Sequence, residues 1–283
     1  DNYDPLIQDG SGVAAGSVGY SFKADTDTGM SSGDSSNVLM LVTGGSAAMV
    51  LTPTSRICLS NNDNNSNNTV FGKSAFNTST DNASDKNIVI GELAMGTGSV
   101  AGASRNVAIG YSAFTDATSG INNVAIGHNS ALNLTNGNSN VVIGREAFQT
   151  STGGENCIVI GTNAMQSANH SSNDGSVAIG KLALSDKNLA SGAQFTGATT
   201  AIGYKALTAL TSGAGNTAIG HNALLVNQTG ASNTVIGYET ANNTTGSQNV
   251  VVGSDSGKGI GSAGNNTYVG YAVATNTSSS GNS

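Results

Sequence analysis

The chain has 283 residues, among them 39 Gly, 35 Asn and two Pro, with no Trp and a formal net charge of −7. That balance gives no basic footprint for nucleic acid or for an anionic membrane surface, and no stretch approaches the roughly eighteen apolar residues that cross a bilayer. Cys58 and Cys157 stand 99 residues apart, which is no disulfide framework, and both thiols are expected to be reduced and largely buried.

The chain opens on DNYDPLIQDG, with neither Met nor a signal-like apolar core, and is expected to be a processed or partial product. Residues 1–60 read as a β-rich connector to a neighbouring segment. Alternating apolar positions around Val38–Val42 and Ala48–Leu51, joined at Gly44 and Gly45, predict a hairpin or small meander. Asp25 and Asp27 have the spacing of calcium loops, but the further ligands and terminal Glu are missing. A plain polar turn is expected there.

Residues 61–274 carry one repeated pattern: two apolar residues, Gly, two variable residues, then usually a small one. It places Gly72, Gly91, Gly110, Gly127, Gly144, Gly161, Gly180, Gly203, Gly220, Gly237, Gly253 and Gly270 at separations of 16 to 23 residues, most often 17. A fixed period with occasional insertions is the mark of a solenoid in which each repeat stacks on the next. The predicted fold is all-β, a parallel β-solenoid or β-roll of about twelve 17-residue coils packed as a homotrimeric fibre.

The glycine of each repeat is position 0. Position −1 is always large and mostly β-branched, from Phe71 and Ile90 to Val252 and Val269, and reads as a core ladder. Position −2 is Ala or Val in all but Tyr268. Adjacent strand residues point to opposite faces, so neither face suits water. One face is expected to pack inside the coil on the pair at +3 and +4, such as Ala113 with Phe114 or Ala147 with Phe148. The other, lined by small Ala, is expected to meet other copies of the chain. A glycine after every strand implies positive φ or close approach of the next coil. Asn at −4, from Asn68 and Asn87 to Asn249 and Asn266, is expected to stack and hydrogen-bond along the rod. The insertions at Gly96–Ser104 and Ser185–Ala198 are expected to project sideways. Residues 275–283 form a polar tail.

Catalytic chemistry finds little support. IGYKAL, residues 202–207, fits a hexapeptide acyltransferase pattern, but that architecture needs about three hexads per coil and here there is one. His128 and His221 occupy +1, where other repeats carry Lys73, Glu92, Tyr111 or Arg145, as a solvent-facing turn would. The carboxylates Glu146, Glu155, Asp174 and Asp186 are scattered and nominate no pair for glycan hydrolysis. No catalytic, cofactor or metal site is assigned and no enzyme is expected. Tyr111, Tyr204, Tyr238 and Tyr271, all at +1, are the candidates for receptor contact, because an exposed aromatic can cover a sugar face.

NVAIGYSAF, NVAIGHNSAL, NTAIGHNAL and NTVIGYETA resemble the repeats of bacteriophage tail-fibre proteins, and are similar to the shorter repeats of trimeric autotransporter adhesin heads. SVGYSFKADTDTGM, followed by NVLMLVTGG and SAAMVLT, resembles a recurrent tail-fibre segment. The resemblance implies a homotrimeric, left-handed β-roll in a virion fibre used for host attachment. Its partners would be its own copies, neighbouring fibre or virion proteins, and a host-surface glycan or protein. It also implies a C-terminal, self-cleaving chaperone domain removed after assembly. The alternatives are a bacterial outer-surface adhesin head and a glycan-degrading fibre enzyme.

Overall fold

A computed structural model describes the backbone of five strands before residue 60 and, in full, residues 67–76, 83–167, 174–185 and 198–275. The early strands, Tyr20–Phe22, Asp25–Ser31, Leu39–Thr43, Ser46–Leu51 and Ile57–Cys58, form an antiparallel sheet in chain order. Asp25 and Asp27 therefore lie on a strand and not on a turn. The turn at Gly44 and Gly45, the greater part of the Ser185–Ala198 insertion, His170, and the tail after Thr275 fall outside the described residues.

The repeat region is a parallel β-solenoid. Twelve strands of three residues each, from Thr69–Phe71 to Thr267–Val269, form one sheet in which every strand pairs with the next in chain order. Each glycine ends a strand, and the register never slips: Val107, Ala108 and Ile109 sit beside Val124, Ala125 and Ile126. Like residues therefore stack on like, forming rows along the rod.

Both reasons for the glycine hold. Gly110 has φ +134°, and a Cβ there would lie 2.6 Å from the carbonyl oxygen of Gly127. Gly144 is the same, at φ +139° and 2.6 Å from the Gly161 oxygen. Gly270, in the last repeat, keeps φ +138° but would meet only the Val273 side chain.

Beyond the glycine the backbone turns through left-handed residues at +2 and +4, such as Ser112 (φ 51°) and Phe114 (φ 52°), with a third at −5, such as Arg105 (φ 60°). Left-handed geometry costs a non-glycine residue of order 1 kcal/mol, and cross-coil hydrogen bonds offset it. The Ser112 N–H donates to the Glu92 carbonyl in the preceding repeat, and the Phe114 N–H to the Ser130 carbonyl in the following one.

The expected asparagine stack is present and buried. Asn123 donates its backbone N–H (2.9 Å) and its amide Nδ2 (3.2 Å) to Asn106 Oδ1, and Nδ2 also donates to the Gly137 carbonyl at 2.7 Å. Asn140 repeats these contacts on Asn123 and Gly154. The row is interrupted where Cys157, Ser176 and Thr199 replace Asn. All three are fully buried, and the Thr199 hydroxyl finds no partner.

The interior corrects the expected orientation of the strands. Position −2, not −1, faces in: Ala108, Ala125, Val142 and Val159 are completely buried, whereas each −1 neighbour is half-buried or exposed. The reason lies across the coil, where the +4 side chains Phe114, Phe148, Met165 and Leu207 are also wholly buried. They leave room only for Ala or Val from the strand, except in the last repeat, where Tyr268 takes the position. Residues at +4 and +7 compensate in size, as in Phe114 with Ala117, Ala131 with Leu134, and Phe148 with Ser151. Where +4 is Gly257, Ile260 occupies the space, and a Cβ on that glycine would lie 2.9 Å from its Cδ1.

The insertion at Gly96–Ser104 also departs from expectation. It stays within the stack, with Val100 and Ala103 fully buried and the Ala101 N–H donating to the Thr118 carbonyl at 2.7 Å. Its apolar residues extend the core instead of projecting from it.

Two stability measurements follow. Gly144→Ala, which meets both the φ and the carbonyl, should lose about 3 kcal/mol or more, and Gly270→Ala, which meets the φ and a side chain but no backbone, about half as much, by thermal unfolding. Thr199→Asn places an amide where the neighbouring row would bond it to Gly213 and Asn216, and should stabilise by about 1 kcal/mol.

Candidate interaction surface

The strand face turned away from the core carries the distinctive chemistry. In the third repeat, Arg105 is exposed, Asn106 buried, Val107 half-buried, Ala108 buried, Ile109 half-buried and Tyr111 48% exposed. Rows −5, −3, −1 and +1 therefore share the outer side, with buried rows at −4 and −2 between them. Every large apolar side chain that is exposed among the described residues lies on −3, −1 or +1, including Ile88, Ile90, Ile158, Ile236 and Val250. The outer strip is apolar along its middle and polar or aromatic along its two edges.

The middle is not uniform along the rod. Row −3 is Thr69, then Ile88, Val107, Val124, Val141, Ile158 and Val177 through the seventh repeat, then Thr200, Thr217, Thr234, Val250 and Thr267. Row −1 remains Ile from Ile90 to Ile236. The ladder expected in the core is thus the outer one, and the small side chains expected to face other copies are inside.

Row +1 holds the four candidate tyrosines, and stacking in register brings three of them onto histidines. Tyr111 stacks on His128 with ring centroids 5.3 Å apart. His221 lies between Tyr204 at 5.1 Å and Tyr238 at 5.0 Å. Lys205 Nζ sits 5.4 Å from the Tyr204 ring centre. Tyr204 and Tyr238 thereby each spend one ring face on His221. Tyr271 is 78% exposed. His128 is exposed, while His221 is partly covered and its Nδ1 is buried without a hydrogen-bond partner. The histidines were legible as a turn position; the ring stack was not, because it needs the exact register of neighbouring repeats.

Beside this row lies an ion cluster. Lys258 Nζ approaches Glu239 at 2.8 Å and Asp255 at 2.6 Å. Hydrogen bonding to Lys258 holds the Glu239 and Asp255 carboxyls below their ordinary range and raises the Lys258 ammonium above its own. The Glu239 charge raises the Tyr238 phenol. The twelve glycines are buried or half-buried under the turn except Gly72, which is exposed in the first repeat. They shape the surface and contribute no chemistry to it.

Among the described residues no group of three or more His, Cys, Asp or Glu is arranged to hold a metal ion. Cys157 is buried, and its thiol donates to the Glu155 carbonyl at 3.4 Å; the Cys58 side chain falls outside the described residues. Comparison of the chain with family models, with curated proteins and with solved structures finds no match.

The ion cluster gives a pH signature. Because both carboxyls are depressed in the folded state, their contribution is present above the unfolded values and is lost as pH falls through the folded ones. A carboxyl NMR titration should place Glu239 and Asp255 below their ordinary midpoints of 4.5 and 3.8. Lys258→Met should return both upward, with little change in stability because the groups are solvent-screened.

Proposed function

We propose that the chain is a structural and host-attachment fibre component of a virion, a rigid rod built from three parallel copies. The observation that supports it is the outer apolar strip. Twelve strands at about 4.8 Å, each three residues wide at about 3.3 Å per residue, give a footprint of roughly 600 Å² per copy, whose outward side chains are apolar at all twelve −1 positions and at seven of the twelve −3 positions. Monomeric soluble proteins rarely expose a contiguous apolar patch larger than a few hundred Å². Two such strips facing each other reach about 1,200 Å², the lower bound of ordinary specific interfaces.

In this reading Ile109, Ile126, Ile143 and their counterparts meet around the fibre axis. The repeat motifs, which resemble those of bacteriophage tail fibres, supply the virion setting and the host-surface partner. Tyr271, with the most exposed ring of the four tyrosines, is the best placed to touch a host glycan or protein. Neighbouring fibre proteins would join at the ends.

Sedimentation tests the assembly. The native chain should run as a trimer at micromolar concentration, and Ile126→Lys with Ile143→Lys should shift it to smaller species. A native monomer would contradict the reading. An antibody against residues 61–274 tests the setting: it should decorate fibres on virions and block their adsorption to host cells. Labelling confined to a bacterial envelope would make the chain an adhesin instead.

A further inference from the structure

The two edges of the outer strip complement one another in seven of the twelve repeats, and we infer that row +1 of one copy docks against row −5 of the next copy at the same height. This rests on the homotrimeric reading and specifies how the copies meet. Rows −5 and +1 flank the apolar middle as a polar rim flanks an interface core. In a cyclic assembly with the strips turned toward the axis, each copy's +1 edge faces its neighbour's −5 edge, and equal repeats lie level.

The matching is both steric and electrostatic. Where +1 carries the stacked rings Tyr204, His221 and Tyr238, row −5 is Ala198, Gly215 and Ser232. In the next repeat the sizes reverse, with Ser254 at +1 and Gln248 at −5. In the second repeat Glu92 faces Lys86, both exposed. In the third, Arg105 faces Tyr111, a cation opposite an aromatic. In the seventh, Lys181 faces Gly175 and the exposed Asp174 beside it. An antiparallel pair would set the first repeat against the twelfth and lose these correspondences.

Contacts within one chain do not produce this pattern. They run along each row, as in Lys73 with Glu92 at 3.6 Å or Arg105 Nε donating to Asn122 Oδ1 at 2.8 Å. From −5 to +1 in a single repeat the chain runs through the extended strand, which holds the two rims roughly 10 Å or more, and at most about 20 Å, apart, beyond the reach of a disulfide. The rims therefore answer each other only across copies, and the stacked rings of Tyr204, His221 and Tyr238 become knobs received by small residues of the neighbour.

Engineered disulfides in the full chain test this. Ser232→Cys with Tyr238→Cys pairs level positions in the tenth repeat, and Ser139→Cys with Arg145→Cys does so in the fifth without touching the ring stack. Asn122→Cys with Tyr238→Cys is offset by six repeats, about 29 Å. The unsubstituted chain, with Cys58 and Cys157, sets the background. After mild oxidation, a level pair should give covalently closed trimers on a non-reducing gel and the offset pair should lose them. If reduced protein sediments as a trimer and neither level pair crosslinks, or if the offset pair crosslinks equally, the rim docking is wrong while the trimeric fibre stands. Sedimentation of the unsubstituted chain as a monomer overturns both.

Discussion

The structure depends on one close approach. Under each strand-ending glycine but the last sits the carbonyl of the next repeat's glycine, 2.6 Å from where a Cβ on Gly110 or Gly144 would be. Only a residue without a side chain lets the coils close to strand spacing at that corner, and only a residue free to take φ near +135° turns the chain there. Because the same contact recurs at every repeat, the strands cannot slide past one another. In-register rows follow: asparagine on asparagine, isoleucine on isoleucine, tyrosine on histidine.

Each row then acquires its role from its side of the strand. The inner rows are filled from across the coil by the +4 and +7 side chains together, so the strand itself contributes Ala or Val in every repeat but the last. The buried asparagines consume the polar groups that a thin coil would otherwise leave unsatisfied, the Oδ1 accepting two hydrogen bonds wherever another asparagine follows in the next repeat, as at Asn106 and Asn123. The large β-branched residues are displaced outward as a consequence. A solenoid with its bulkiest strand side chains on the outside has an apolar strip whose burial requires another molecule, and this connects the local geometry of a glycine turn to assembly.

Much of this was legible in the residues. The spacing of Gly72 through Gly270 marks the solenoid and places every strand, and the Asn68 to Asn266 row announces its own stacking. The orientation of the strand was not legible, since Ala–Ile–Gly is equally apolar on both faces. The decision lies in the volume of Phe114 or Phe148 delivered from four residues further on. The left-handed backbone at Phe114 and Met165 carried no local signal, although Asn129, Asn163 and Asn222 at +2, and Gly175 and Gly215 at −5, hint at it. The insertion at Gly96–Ser104 reads outward by rule, yet Val100 and Ala103 were apolar enough to have been placed inside. The unpartnered hydroxyl of Thr199 shows only against its neighbours, because a threonine in an asparagine row is ordinary until the bonds are traced.

The central claim is that the isoleucine ladder at −1 is turned toward other copies of the chain. A cryo-EM map of the intact assembly, resolved well enough to see side chains, examines it most directly. The account predicts three parallel stacks at equal height with Ile109, Ile126 and Ile143 of each copy converging on a common axis. A folded single stack with that ladder in solvent, or an assembly joined through any other face, would contradict it.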